Sequence, residues 1–404
     1  MAKPNLKQDL LDTATPPIPE ASSWLAAYDG QMGPVINLSQ AVPGDPPPRA
    51  FLDQIALAAA SSEATRYGDI FGDDQLRSAY AGESSRVYGA QIDEQEVSIT
   101  AGCNQAFFSA IVAVASAGDV VLLPAPWYFN HKMTLDMLGI EARPLPLCAE
   151  AGFIPDVSEA AERIDERVKA IVLVTPNNPT GAVYPPHVLA SFMDLAAQRG
   201  LWLIIDETYR DFRDQTDAPH ELFSDPRWRD TVISLYSFSK SYAIPGHRVG
   251  ALIAGGPVID EVGKVLDCIQ ICPARAAQMA LPWAIANLVD WRQGTNRKIA
   301  ARAAAFREAL APCPTWKIDQ IGAYFAYVRH PFRGVSSVTV AEHLAKGCGL
   351  LALPGRYFGP GQDTHLRVAF ANVDTPEIVQ IGDRLAGFSD TAFEAKTHLK
   401  DRSA

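Results

Sequence analysis

No stretch of this chain approaches the roughly 18 consecutive apolar residues that a bilayer-spanning helix needs, so a membrane partner is not expected. The amino terminus also lacks the apolar core of a secretory leader. Lys3 and Lys7 are followed by Asp9, Asp12 and a proline-rich stretch. Basic charge is scarce as well: 35 Lys and Arg stand against 46 Asp and Glu, for a net charge of −11. A general nucleic-acid surface needs clustered cations, so that class is set aside and an acidic cytoplasmic protein is expected. Cysteine is sparse, with six residues at 103, 148, 268, 272, 313 and 348, too scattered for a disulfide framework. Cys268 and Cys272 can share a helix face. Two thiols with no neighbouring histidine make no zinc site, and the eight histidines form no His-x-x-x-His pair, so no metal is expected.

What the chain does have is ordinary globular composition, 48% hydrophobic and 20% charged, over 404 residues, without internal repeats. That length exceeds the usual single domain and implies two packed cores. Apolar runs at 120–123, 170–175, 201–205, 231–236 and 251–254 end in turn residues and alternate with helical stretches. Such alternation predicts βαβ units and a mainly parallel sheet between helices. Ile299, Ala303, Phe306 and Leu310 recur at helical spacing and predict an amphipathic helix from 296 to 310. Strand-like pieces at 323–328 and 366–370 belong to a second, smaller α+β unit. The polar stretch from Lys396 to Ala404 is expected to fray.

The segment with most chemistry is Ser237-Phe238-Ser239-Lys240-Ser241-Tyr242-Ala243-Ile244-Pro245-Gly246-His247-Arg248-Val249-Gly250. It sets an amine between two small hydroxyl residues, with a cation eight positions on. A lysine becomes a nucleophile where burial or a neighbouring cation lowers its pKa, or where it is already held as an imine. Three further clusters carry polar groups at the ends of apolar runs. The run 170–175 closes in Pro176-Asn177-Asn178-Pro179-Thr180-Gly181, where Asn178 would otherwise simply close an Asx turn. The run 201–205 delivers Asp206-Glu207-Thr208-Tyr209, and ligand sites of open α/β sheets gather at such carboxyl ends. Asp206 as a helix N-cap and Tyr209 as a core residue are the plainer alternatives. Val97-Ser98-Ile99-Thr100 followed by Ala101-Gly102-Cys103-Asn104 reads as strand, glycine turn and helix start, a place for an anion.

Together these segments resemble, position by position, the class I/II aminotransferases, the pyridoxal-phosphate enzymes of fold type I. The resemblance implies a large cofactor domain over 45–285 and a small domain of 286–404, joined by the amino-terminal segment 1–44. It implies that Lys240 forms a Schiff base with pyridoxal 5'-phosphate, that Asp206 pairs with the ring nitrogen, and that Asn178 and Tyr209 hydrogen-bond the phenolic oxygen. The phosphate would be held by Gly102 and the backbone N–H groups of Cys103 and Asn104, with Ser237, Ser239 and Arg248. Cys103 stands where the family often has a small or hydroxyl residue. Tyr128, in Pro124-Ala125-Pro126-Trp127-Tyr128, matches the residue stacked on the ring, with Trp127 its competitor. Tyr67 resembles a tyrosine that reaches the phosphate of a neighbouring subunit, which implies a homodimer.

Arg367, in His365-Leu366-Arg367-Val368-Ala369-Phe370, matches the family's substrate-carboxylate arginine, whose planar fork offers two parallel hydrogen bonds. The loop Ile36-Asn37-Leu38-Ser39-Gln40-Ala41 resembles the segment that closes over the substrate, with Ala41 where glycine is common. The implied activity is ping-pong transfer of an amino group between an L-amino acid and a 2-oxo acid. The same fold and lysine also serve β-lyases, racemases and aminocyclopropane-carboxylate synthases, which stay open alternatives. A cofactor-binding regulator is the rival from another class. It needs a DNA-binding module, and the roughly 35 residues before the Ile36 loop are too few for a winged helix-turn-helix.

Overall fold

The structure is a computed structural model in which residues 5–214 and 217–388 are described; the Lys396–Ala404 tail therefore lies outside the described residues. Contacts divide the chain into two compact units. Among the described residues, one comprises 5–14, 45–178 and 182–297, and the other 15–44, 179–181 and 298–388. The resemblance implies boundaries at 44/45 and 285/286. In the structure the second division falls inside the helix Val289–Leu310.

The first unit is built on a seven-stranded sheet. Its strands are β1 (Val97–Thr100), β2 (Val120–Ala125), β3 (Glu141–Pro146), β4 (Val168–Val174), β5 (Trp202–Asp206), β6 (Val232–Ser237) and β7 (Gly250–Ile253). They lie in the order β1-β7-β6-β5-β4-β2-β3, and only β7 runs against the rest. Buried on both faces, strands such as β4 and β5 read as continuous apolar runs rather than alternating ones. One face packs Phe107, Ile111, Val121, Leu123, Ile204, Leu252 and Val262 into a single core.

The predicted mainly parallel sheet is thus present, with one strand unforeseen. Strand β3 carries Pro144 and Pro146 and has a mostly half-buried face. Proline lacks the N–H a ladder needs and is tolerated at a sheet edge, where β3 lies. The amphipathic helix expected from 296 begins earlier, at Val289.

The second unit holds a four-stranded antiparallel sheet in the order Leu353–Pro354, His365–Ala369, Phe325–Arg329, Lys317–Gly322. The strand expected from 323 starts at Phe325, because Ala323 sits at φ +45°, off the extended region. A parallel pair, Ile36–Asn37 with Leu350–Leu351, ties the amino-terminal segment to this unit. It is the smaller α+β unit that the sequence implied.

Candidate active site

The register of the large sheet brings the chemistry-bearing segments to one end of it. Thr100 and Ser237 both pair with Gly250, so the glycine turn after β1, the residues before β7 and the lysine segment after β6 start from one level. Asp206 pairs with Leu235 on one side and Val174 on the other, which sets the loop holding Asn178 beside it. Because β7 is reversed, Arg248 enters at the same end that the parallel strands leave.

The turn after β1 is shaped for a close approach. Gly102 adopts φ +84°, and a Cβ there would collide with the Arg248 guanidinium. A Cβ on Gly250 would lie 2.6 Å from the carbonyl carbon of Gly102 and 2.7 Å from the nitrogen of Cys103. The helix Cys103–Val114 starts here, so its first N–H groups point out of the turn without intrahelical partners. Arg248 is exposed and donates to the carbonyls of Pro245, at 3.0 Å, and Ala101, at 3.4 Å. Asn104 is exposed on the helix's first turn.

Lys240 is half-buried on the four-residue helix Phe238–Ser241. Ser237 caps that helix, its Oγ accepting the Ser239 N–H at 3.3 Å. The Ser239 hydroxyl is itself buried without a hydrogen-bond partner among the described residues. Asn178 and Tyr209 are buried, and Tyr128 is half-buried at the start of the helix Phe129–Met137.

Asp206 is fully enclosed. Its Oδ1 accepts the Thr208 N–H at 3.0 Å and faces the Cys103 thiol at 3.5 Å, while Oδ2 lies 3.2 Å from His131 Nε2. Burial alone would raise its pKa. Hydrogen bonding and charge from His131, with the Thr208 contacts, outweigh burial and hold the carboxyl below its ordinary range. The Cys103 thiol is pushed well above its usual pKa, first by burial and then by the Asp206 charge, so it is a neutral donor. Asp206 caps no α-helix; the turn that follows is 3-10 and starts from Tyr209.

His131 is the residue that sequence reasoning missed. Its ring stacks on Phe107 at 3.9 Å and 23°, and its Nδ1 is buried without a partner among the described residues. The available signal was its place three residues after Tyr128, in the first turn of a helix entering from the same sheet end. Tyr67 does not join this cluster; it is 77% exposed and lies beside Cys272, Pro273 and Arg275.

The second unit assembles its own group. Arg367 is buried in the strand His365–Ala369, opposite Tyr327, with its guanidinium 5.1 Å from the ring centres of both Phe325 and Phe358. It donates to the backbone carbonyl of Ser39. The loop carrying Ser39 and half-buried Ala41 is further tied down where the Ala369 N–H donates to Leu38 O at 2.9 Å.

A phosphorylated pyridine aldehyde fits the first unit's residues. The side-chain-free turn at Gly102 and Gly250, the partnerless Ser239 hydroxyl and the Arg248 cation suit a dianion. A buried carboxylate held ionised suits a protonated ring nitrogen.

Residues 33–385 match the family model "Aminotransferase class I and II". An aspartate aminotransferase of Pyrococcus horikoshii is 28% identical, with 84% of this chain and 87% of that protein covered. An aromatic aminotransferase of Arabidopsis thaliana is 26% identical, over 94% and 95% of the two chains. A solved structure of a Thermus thermophilus aspartate aminotransferase mutant superposes with a TM-score of 0.87 at 24% identity, covering 95% of this chain and 99% of that one. With a family match across most of its length, the chain belongs to the class I and II aminotransferases and is a pyridoxal-phosphate-dependent aminotransferase.

Proposed function

We propose that the enzyme moves an amino group between an L-amino acid and a 2-oxo acid in a ping-pong sequence, with Lys240 as its covalent anchor for the cofactor aldehyde. The observation that carries this reading is the shared level of Thr100, Gly250 and Ser237 beside Asp206, which brings the Gly102 turn, the lysine turn and a buried carboxylate to one sheet end. In this reading the phosphate sits at Gly102 and is gripped by the N–H groups of Cys103 and Asn104, the hydroxyls of Ser237 and Ser239, and Arg248. Tyr128 covers the ring, and Asn178 and Tyr209 hold its phenolic oxygen. Asp206 keeps the ring nitrogen protonated, with His131 donating to its far oxygen. Arg367 grips the substrate carboxylate, and the Ser39–Ala41 segment lines that position.

The bound cofactor supplies an electron sink for a carbanion at the substrate α-carbon. With the cofactor held there, Lys240 Nζ would be the base that takes the α-proton and returns it. The cofactor would keep the amino group as the first 2-oxo acid leaves and give it to a second, which makes the order ping-pong.

A homodimer is part of the proposal, supported by the exposure of Tyr67 together with the nearby exposed Ile269 and Ile271. A cytoplasmic location is supported by six free thiols. No helix of the described residues is long and apolar enough to cross a membrane.

The test is Lys240→Ala. It is expected to abolish turnover and the visible absorption of the lysine-linked cofactor, while ¹⁵N-labelled donor amino acid gives labelled product only with the unaltered enzyme. Normal turnover in Lys240→Ala overturns the assignment.

A further inference from the structure

Lys240 rides on a helical turn of four residues, far too short to hold its own geometry. Its position must come from what the turn is fastened to. The two residues after the lysine each place a hydroxyl on a different carboxylate, half-buried Asp211 and buried Glu83. Ser241 Oγ donates to Asp211 Oδ2, which also receives the Tyr236 hydroxyl at 2.6 Å. Tyr242 donates to Glu83 Oε2 at 3.2 Å.

Both carboxylates then meet one guanidinium. Arg292 donates through Nη2 to Glu83, places Nη1 3.8 Å from Asp211, and lies over the Tyr242 ring at 4.9 Å. Arg210 adds a second cation, 3.9 Å from Asp211 and 4.2 Å above the Tyr236 ring. On its amino-terminal side the turn is pinned by Phe238, packed edge-on against Tyr80 at 5.3 Å and Tyr236 at 5.2 Å. Burial disfavours the Asp211 charge, but Arg210 and Arg292 outweigh it and keep the carboxyl below its ordinary range. The clamp is therefore charged, largely shielded from solvent and linked to each of the two residues that follow the lysine.

We propose that Asp211, Glu83 and Arg292 are positioning residues for Lys240, acting through the hydroxyls of Ser241 and Tyr242 to hold the amine where a cofactor aldehyde meets it. This rests on the reading of Lys240 as the aldehyde-binding amine. A clamp of this kind bears first on Lys240, next to its two anchors, and less on the ring and phosphate contacts, of which only Ser237 and Ser239 lie on the same turn. It thereby differs from a network that merely supports the fold.

The experiment compares Ser241→Ala, Tyr242→Phe and the double variant with the unaltered full-length enzyme after cofactor removal. These substitutions delete hydroxyls without unbalancing the buried charges, and a thermal melt verifies that each variant folds. Two probes are titrated: pyridoxal 5'-phosphate, which links to the lysine, and pyridoxamine 5'-phosphate, which has the same ring and phosphate but no aldehyde. The double variant should bind the aldehyde about tenfold more weakly and link to it more slowly, as expected for lost bonds to charged acceptors, with the amine form weakened distinctly less. Equal weakening of both probes, or no change in either, overturns the clamp. Should the unaltered enzyme hold both probes equally and form no link, the Lys240 reading fails, and the clamp's role falls with it.

Discussion

His131 Nε2 and Asp206 Oδ2 meet 3.2 Å apart in the interior, the histidine arriving from the helix Phe129–Met137 and the aspartate from the end of β5. The contact supplies a donor to the far side of a carboxylate that burial would otherwise neutralise. It outweighs that burial together with the Thr208 N–H, and leaves the group anionic.

Replacing His131 with phenylalanine keeps the stack on Phe107 and removes the nitrogen. A hydrogen bond to a charged group is worth about 1.5–3 kcal/mol, so cofactor affinity should fall roughly 10- to 150-fold, with kcat falling alongside. Absorbance titration of the cofactor checks this. Unchanged affinity would show that the Asp206 charge does not depend on His131.

Gly250→Ala should damage the proposed anion cradle without deleting a polar group. The added methyl meets the backbone of Gly102 and Cys103, which has no flexible end to yield. Forcing extra volume into a packed site costs about 1–3 kcal/mol, so cofactor affinity should drop about 5- to 150-fold. Parallel urea melts separate this local loss from a general one.

Acid should destabilise the cofactor-free enzyme through the carboxylates at the end of β5. Asp206, Glu207 and Asp211 are all held below their ordinary range, because their partners outweigh burial: His131 and Thr208 for the first, His220, Arg210 and Ser234 for the second, Arg210 and Arg292 for the third. A depressed folded-state pKa means that the unfolded chain binds protons first. The stabilisation is therefore whole above the unfolded carboxylate range, near pH 4, and is lost as pH falls through the folded values below it. Urea unfolding from about pH 7 to about pH 3 should show stability rising with pH across the lower part. Glu207→Gln should flatten that slope; an unaltered slope would remove Glu207 from the account.

Arg367→Lys should weaken the grip on the substrate carboxylate. Lysine loses the planar fork and its seat between Phe325 and Phe358. A charge-assisted pair at about 1.5–3 kcal/mol implies a 10- to 150-fold fall in kcat/KM across amino-acid substrates, with the lysine-linked cofactor spectrum intact. Steady-state kinetics on several amino acids decide it.

Much of the large sheet was legible because its inner strands are buried on both faces and must be apolar throughout, as in residues 168–174 and 202–206. The polar groups that interrupt these runs, Asp206 and the Asn178 loop, were legible as strand ends for the same reason. Strand β3 was not: as an edge strand it tolerates prolines and half-exposed residues, and its sequence carries no run to read. Nor was the neutral thiol of Cys103 legible as a neighbour of Asp206, because that contact depends on how a helix seats against the sheet.

By itself, then, the sequence determined which residues leave the sheet as chemistry-bearing loops and in what order, since burial writes the strands as apolar runs and leaves the rest polar. Tertiary structure alone decided which side chains share a carboxylate. His131 and Cys103 around Asp206, and Ser241, Tyr236 and Arg292 around Asp211, come from separate elements. No local spacing encodes their meeting; it follows from sheet register and helix packing, which place the charges where water is excluded.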